Sequence, residues 1–149
     1  MNIGFLGLGK LGLPVSLAVE DKGHKVFGFD ISKQTIDDIK NRKIRYKEEW
    51  VDKYLPNTKL EITDIDNLVK SSEIIFVPIQ TPHDPQYEGV TRIPDKRIDF
   101  DYTYLKSGIK DLSQAIEKNG EDKVVIIIST VLPGTIRNQI KPLLGQHTK

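Results

Sequence analysis

Short apolar runs alternate along the chain with segments whose apolar residues recur at helical spacing. The runs are rich in β-branched and aromatic residues, which is typical of strands buried on both faces of a parallel sheet. A weaker run at residues 59–63 alternates polar and apolar positions and predicts an edge strand. The four stronger runs are residues 3–6, 26–29, 74–77 and 124–128.

The segments between these runs have the apolar period of amphipathic helices. The clearest is residues 102–118, where Leu105, Ile109, Leu112 and Ile116 share one face and Asn119-Gly120 supplies a stop signal. A last helix is predicted from Gly134, and Pro142 should kink or end it. The same spacing recurs at Leu11, Val15 and Ala18, at Ile36 and Ile39, at Ile65, Leu68 and Val69, and at Ile136, Ile140, Leu143 and Leu144.

Strands and helices that alternate over short links predict right-handed β-α-β crossovers. The predicted fold is therefore α/β, a doubly wound parallel sheet of the Rossmann type in the order 3-2-1-4-5-6. Five strands are accounted for, and the sixth is expected just beyond Lys149. Because 149 residues suit one domain, we expect residues 1–149 to form a single domain. The missing sixth strand leads us to expect that this domain is the front part of a longer protein.

Composition and charge exclude several classes of function. The 22 basic and 21 acidic residues leave a net charge of +1, which favours neither nucleic acid nor a membrane surface as partner. The chain has no cysteine and no uninterrupted apolar stretch long enough to span a bilayer. Its apolar N-terminus lacks a basic leader and is broken by glycines, so we expect a cytoplasmic protein. The locally basic residues 40–47 are interpreted as a solvated face.

A glycine motif follows the first predicted strand and opens the first predicted helix. Gly7, Gly9 and Gly12 fit G-x-G-x-x-G, and Lys10 and Leu11 lie between the last two glycines. In a β-α-β unit, such glycines allow a tight turn, a close approach to a pyrophosphate, and packing of helix on strand. The helix start then offers amide groups and a positive dipole to the anion. The alternative is that the glycines only shape a turn.

Asp30 ends the second predicted strand, eighteen residues after Gly12. A carboxylate there accepts hydrogen bonds from both hydroxyls of an adenosine ribose and repels a 2′-phosphate. No arginine occurs between Asp30 and Lys40, so NAD is favoured over NADP. The alternative to ribose binding is that Asp30 only caps the next helix. Lys33 either contacts the coenzyme or is simply solvated.

Three segments carry a family resemblance: residues 3–30, Gln80-Thr81-Pro82 and residues 129–135. Together they resemble the UDP-glucose/GDP-mannose dehydrogenase family, which oxidises nucleotide sugars with NAD. The opening residues 3–30 are similar to the start of that family. Gln80-Thr81-Pro82 after the fourth strand is similar to its threonine-proline loop, and residues 129–135, STVLPGT, are similar to its S-T-V-x-P-G-T segment. Hydroxyacid dehydrogenases share the glycine-rich start and a serine-threonine loop, so they are the closest enzymatic alternative; a non-catalytic NAD-sensing module is the other.

The resemblance implies roles for the residues that match these motifs. Thr81 would contact NAD, and Thr130 would lie near the nicotinamide and hold a water or sugar hydroxyl. The alternative is that both threonines only bond to loop backbone. In the family, a cysteine thioester, the nucleotide-sugar site and the segment that makes a homodimer lie outside this domain. We therefore expect this chain alone to bind NAD and to turn over no sugar.

Some positions depart from the family pattern. Lys10 stands where a tyrosine is common, and Thr35 where a basic residue often touches the adenosine ribose. The segment 80–101 is longer than the family norm, and long loops in compact domains are often functional. It contains His83 beside Asp84, but two adjacent residues are not a ligand set, so no metal is predicted.

Overall fold

A computed structural model describes residues 1–90 and 92–149 of the chain. Its five strands form one sheet in the order β3-β2-β1-β4-β5, and every pairing in it is parallel. This confirms the predicted doubly wound sheet and its strand order. The strands are β1 (Asn2–Leu6), β2 (Lys25–Phe29), β3 (Glu61–Ile62), β4 (Ile74–Val77) and β5 (Val124–Ile127).

Helices follow the strands in the predicted alternation. The longest helix ends where expected, with Gly120 in the left-handed region at φ +74°. The α-helices are α1 (Gly12–Asp21), α2 (Lys33–Lys40), α3 (Val51–Tyr54), α4 (Ile65–Ser71) and α5 (Thr103–Asn119).

Helices cover both faces of the sheet. Neighbouring residues on each strand point to opposite faces, so each strand contributes to both cores. In β2, Val26 joins a core with α1, α2 and α3, whereas Phe27 joins the other core with α4 and α5. In β4, Phe76 packs against the first core, and Ile75 and Val77 belong to the second. This two-sided burial explains why the strands appear in the sequence as continuous apolar runs.

The region between α2 and β3 differs from the sequence prediction. Helix α3 and the 3₁₀ turn Leu55–Asn57 were not predicted, because only Val51 and Leu55 are buried there and so short a segment has no visible period. The basic residues of segment 40–47 are all exposed, which agrees with the predicted solvated face, and two of them also make contacts. Arg42 donates from Nη2 to the Thr58 carbonyl at 2.9 Å, and Arg45 pairs with Asp38.

The last predicted helix is two short turns instead. A π-helical turn, Ile136–Ile140, leads into a 3₁₀ turn, Lys141–Leu143. Pro142 lies in that second turn, and because it has no N–H group it cannot continue an α-helix. Ile140 is fully buried but Ile136 is 40% exposed, so the prediction that both share one buried face is wrong for Ile136.

The last residues of the chain pair beside β5, where the strand order requires a sixth strand. This pairing starts before Lys149, earlier than the sequence predicts. The Lys123 N–H group donates to the His147 carbonyl at 2.8 Å, and the Lys149 N–H group donates back to the Lys123 carbonyl at 2.9 Å. Thr148 thereby forms a parallel bridge with Lys123. Pairing with β5 thus begins within the chain and not beyond Lys149. Among the described residues, no helix has the length and apolar character needed to cross a bilayer.

Candidate functional site

The loops that carry the sequence motifs meet at one edge of the sheet. Leu6 is in register with Phe29, and Val77 is in register with Ile127, so the carboxyl ends of these strands lie side by side. The glycine motif, Asp30 and the two threonine loops each follow one of these ends. This is the edge at which open α/β sheets bind ligands.

The glycine loop contains a backbone conformation that only glycine adopts readily. Gly7 has φ +117°, a conformation that side chains disfavour. Its N–H group donates to the Phe29 carbonyl at 2.8 Å, which ties the end of β1 to the end of β2. A Cβ atom at Gly12 would lie 2.1 Å from the Gly7 carbonyl oxygen, so this glycine permits the close packing of helix on loop.

The start of α1 faces open space. Its first hydrogen bond runs from the Leu13 N–H group to the Gly9 carbonyl at 3.0 Å, so the N–H groups of Lys10, Leu11 and Gly12 precede the helical ladder. A Cβ atom at Gly9 would meet no other atom within 4 Å. An anion therefore has both amide donors and room at this point.

Asp30 joins the glycine loop to the start of α2. Its Oδ2 atom accepts from the Leu8 N–H group, and its Oδ1 atom accepts from the Ser32 N–H group, both at 2.7 Å. A carboxylate oxygen has two acceptor sites, so each still has capacity for a ligand hydroxyl. The two interpretations of Asp30 are thus compatible: it organises the backbone and retains acceptors for a ribose. Ser32 is the residue that caps α2, through its Oγ atom to the Thr35 N–H group at 3.2 Å.

A cavity of about 240 Å³ lies between the glycine loop and α2. Arg45 enters it from beyond α2, with its Nε atom 3.0 Å from Asp38 Oδ2. Tyr46 also lines it, with a hydroxyl buried and unpartnered among the described residues; burial first, and then the Glu48 carboxylate, raise the pKa of this phenol. Lys33 is exposed and does not line the cavity. The lining residues are Leu8, Gly9, Lys10, Leu13, Gln34, Thr35, Asp38, Ile39, Ile44, Arg45 and Tyr46.

The threonines after β4 and β5 are in direct contact. The Thr81 hydroxyl donates to the Thr130 carbonyl at 2.7 Å, and the Ser129 hydroxyl donates to the Val77 carbonyl at 3.1 Å. Thr81 therefore makes the hydrogen bond to loop backbone that was considered above as the alternative to coenzyme binding. This bond uses the only proton that the Thr81 hydroxyl can donate. Thr130 is exposed at the edge.

Tyr102 is a residue of this edge that sequence reasoning missed. Its side chain is buried, and its hydroxyl donates to Asp99 Oδ1 at 2.6 Å. The same oxygen accepts from the Leu132 N–H group at 3.0 Å and from the Thr135 hydroxyl at 3.3 Å. Three bonds use the full capacity of a phenol, so Tyr102 fixes the STVLPGT loop to the start of α5. A tyrosine before a helix carries no signal for such a role, because its partners are distant in sequence.

The long loop after Thr81 is closed at its base. The Asp101 N–H group donates to the Pro82 carbonyl at 2.7 Å, and within the loop the Tyr87 hydroxyl donates to the Lys96 carbonyl at 2.6 Å. His83 packs edge-on against Phe100. Hydrogen bonds from Thr103 lower the pKa of Asp101, which keeps the carboxylate charged at the start of α5. In residues 1–90 and 92–149, no group of three or more metal-ligating side chains occurs.

A parallel sheet in this order, with a glycine loop before α1 and a carboxylate after β2, defines a dinucleotide-binding Rossmann domain. The family can be named from comparison with known proteins. The chain belongs to the UDP-glucose/GDP-mannose dehydrogenase family, whose NAD-binding domain matches residues 1–149. This confirms both the resemblance and the cofactor NAD, and it decides against the hydroxyacid dehydrogenases.

Relatives in sequence and structure agree with this assignment. GDP-mannose 6-dehydrogenase of Pseudomonas aeruginosa is 29% identical over 97% of this chain and 32% of its own length. UDP-N-acetyl-D-mannosamine dehydrogenase of Pyrococcus horikoshii is 29% identical over 96% of this chain and 32% of its own length. A ternary complex of the P. aeruginosa GDP-mannose dehydrogenase superposes with a TM-score of 0.81 at 29% identity, over 96% of this chain and 31% of that one. The chain thus spans about a third of the length of these relatives.

Proposed function

We propose that this chain is the coenzyme-binding part of an enzyme that oxidises a UDP- or GDP-sugar to its uronic acid with NAD. One observation carries the proposal: a family match over the whole chain coincides with an open glycine loop beside Asp30. The residues present fit the coenzyme, because the loop leaves space in front of the start of α1 and Asp30 keeps acceptor capacity.

In the proposed complex, Gly9 gives the pyrophosphate room and the amides of Lys10, Leu11 and Gly12 bind it. Asp30 accepts from the adenosine ribose hydroxyls. Lys33 is exposed at the first position of α2, from which its side chain reaches the coenzyme as an additional positive charge.

The loops after β4 and β5 hold the nicotinamide half. The bound nicotinamide supplies the hydride acceptor for the oxidation. Thr81 offers acceptor capacity only, because its proton is committed to the Thr130 carbonyl. The exposed Thr130 hydroxyl orients a water or the sugar hydroxyl at the reacting end. The protein's contribution here is orientation, and misplacement by about 1 Å can cost about a hundredfold in rate.

The sugar side of the site lies outside these residues in our proposal. The chain has no cysteine to form a thioester, and its relatives are about three times as long. We propose that the whole protein is a cytoplasmic homodimer whose further segments bind the nucleotide sugar. The chain by itself then binds NAD without oxidising a sugar.

Calorimetry combined with NADH absorbance tests this proposal. The chain is first titrated with NAD, and is then incubated at high concentration with saturating NAD and UDP-glucose, UDP-N-acetylmannosamine or GDP-mannose in turn. The expected result is saturable NAD binding and no NADH. Absence of NAD binding would overturn the coenzyme site. Steady NADH production from any sugar would show that the 149 residues already hold a complete active site.

A further inference from the structure

We propose that Asp38 is a second determinant of coenzyme specificity, which neutralises Arg45 and thereby keeps a 2′-phosphate out of the cavity beside the ribose site. The inference rests on the proposed function, in which Asp30 holds the adenosine ribose. It concerns the cavity between the glycine loop and α2, whose residues Asp38 and Arg45 have no role in that function.

The cavity begins next to the proposed ribose site. Leu8 lines it, and the N–H group of the same residue donates to Asp30. Gly9 and Lys10 continue the wall toward the start of α1, and Thr35 forms the opposite wall on α2. At about 240 Å³ it is large enough for a phosphate, since a water molecule occupies about 30 Å³ of liquid.

The cavity lining includes residue types that bind phosphate. Lys10 and Arg45 bring two positive charges to its wall, and the Tyr46 phenol remains protonated. An arginine near the ribose is the feature by which such folds accept a 2′-phosphate. No arginine occurs in the sequence between Asp30 and Lys40. In the fold, however, Arg45, which follows α2, lines the cavity beside the proposed ribose site.

Asp38 is the group that opposes this use of Arg45. Its Oδ2 atom accepts from Arg45 Nε at 3.0 Å, and its Oδ1 atom accepts from Gln34 Nε2 at 2.7 Å, so the carboxylate is held on both oxygens. It pairs with the guanidinium through Nε and adds a negative charge that repels a phosphate. The Arg45 side chain is 70% exposed, so this ion pair contributes little to folding and its loss is tolerated.

The ratio of NADP to NAD affinity in three variants, measured by calorimetry on the purified chain, tests the inference. Asp38→Asn should raise this ratio about tenfold, which lies within the range of energies by which one charge acts on another close by at a protein surface. Asp37→Asn is the matched control, because it removes an exposed carboxylate from the neighbouring position of α2. This control should leave the ratio within about twofold of the original. Adding Arg45→Ala to Asp38→Asn should abolish the gain.

In the single variants, either of two results would overturn the inference: an unchanged ratio in Asp38→Asn, or an equal rise in Asp37→Asn, which would mean that only net charge matters. Survival of the gain without Arg45 would also overturn it. Each of these leaves NAD binding by the original chain intact. Failure of the proposed function would instead show as loss of NAD binding in all forms, so the two failures are distinguishable.

Discussion

The site has two halves that are stabilised in different ways. Backbone geometry stabilises the glycine loop, whereas side-chain hydroxyls stabilise the loops after β4 and β5. The first half depends on the φ of Gly7, the close approach of Gly12, and the two amides bound to Asp30. The second depends on the hydroxyls of Thr81 and Tyr102. Backbone geometry tolerates few substitutions, while a hydroxyl network can lose one bond and keep its fold. The two halves should therefore respond differently to mutation.

The largest effect is expected from Gly12→Ala. The added Cβ would lie 2.1 Å from the Gly7 carbonyl oxygen and 2.8 Å from Pro78 Cγ, so backbone must move. Overpacking of this kind costs about 3 kcal/mol in free energy of unfolding. Denaturant titration measures it, and a loss below about 0.5 kcal/mol would mean that the loop is more pliable than its backbone contacts indicate.

Gly9→Ala should separate binding from folding in the same loop. Because no atom lies within 4 Å of the added Cβ, the free energy of unfolding should change by less than about 0.5 kcal/mol. The affinity for NAD should fall at least about tenfold, since the methyl group occupies the space assigned to the pyrophosphate. Calorimetry and denaturation on one preparation give both values. Unchanged affinity together with unchanged stability would reduce the motif to a turn.

Tyr102→Phe tests the hydroxyl network of the second half. The Leu132 amide loses its acceptor, which should cost about 1–2 kcal/mol in stability and speed hydrogen exchange at that amide. The affinity for NAD should fall while that for ADP-ribose, which lacks the nicotinamide, stays the same. Tyr104→Phe is the control, because Tyr104 is 48% exposed two residues away. An equal loss of affinity for both ligands would indicate general destabilisation in place of positioning.

The smallest effect is expected from Thr81→Val, which keeps the shape of the side chain and removes the bond to the Thr130 carbonyl. A hydrogen bond at an exposed site contributes about 0.5–1 kcal/mol, so stability should fall by no more than that. NAD affinity should fall about threefold, equivalent to about 0.7 kcal/mol. Thr81→Ser should restore both quantities. If serine does not restore them, the methyl group and not the hydroxyl is what matters at this position.

The features that could be predicted from sequence are those with local or periodic causes. The strands of a two-sided sheet are apolar runs, α5 has a clear period and a glycine stop, and the glycine motif opens α1 in the expected register. The unpredicted helix α3 shows the limit of this reasoning. Val51 is its buried residue, and the 3₁₀ turn that follows it adds only Leu55. A segment with so few buried apolar positions is indistinguishable from a loop in the sequence.

The sequence by itself determined the order of the strands, the position of the coenzyme loop and the carboxylate at Asp30, because each follows from neighbouring residues and the handedness of β-α-β units. Only the tertiary structure decided which distant groups meet. Arg45 lines the cavity beside Asp38, Tyr102 bonds to Leu132, and Lys149 pairs with Lys123 beside β5. Such contacts depend on how loops close over the sheet, and loop closure leaves no periodic signal in the sequence.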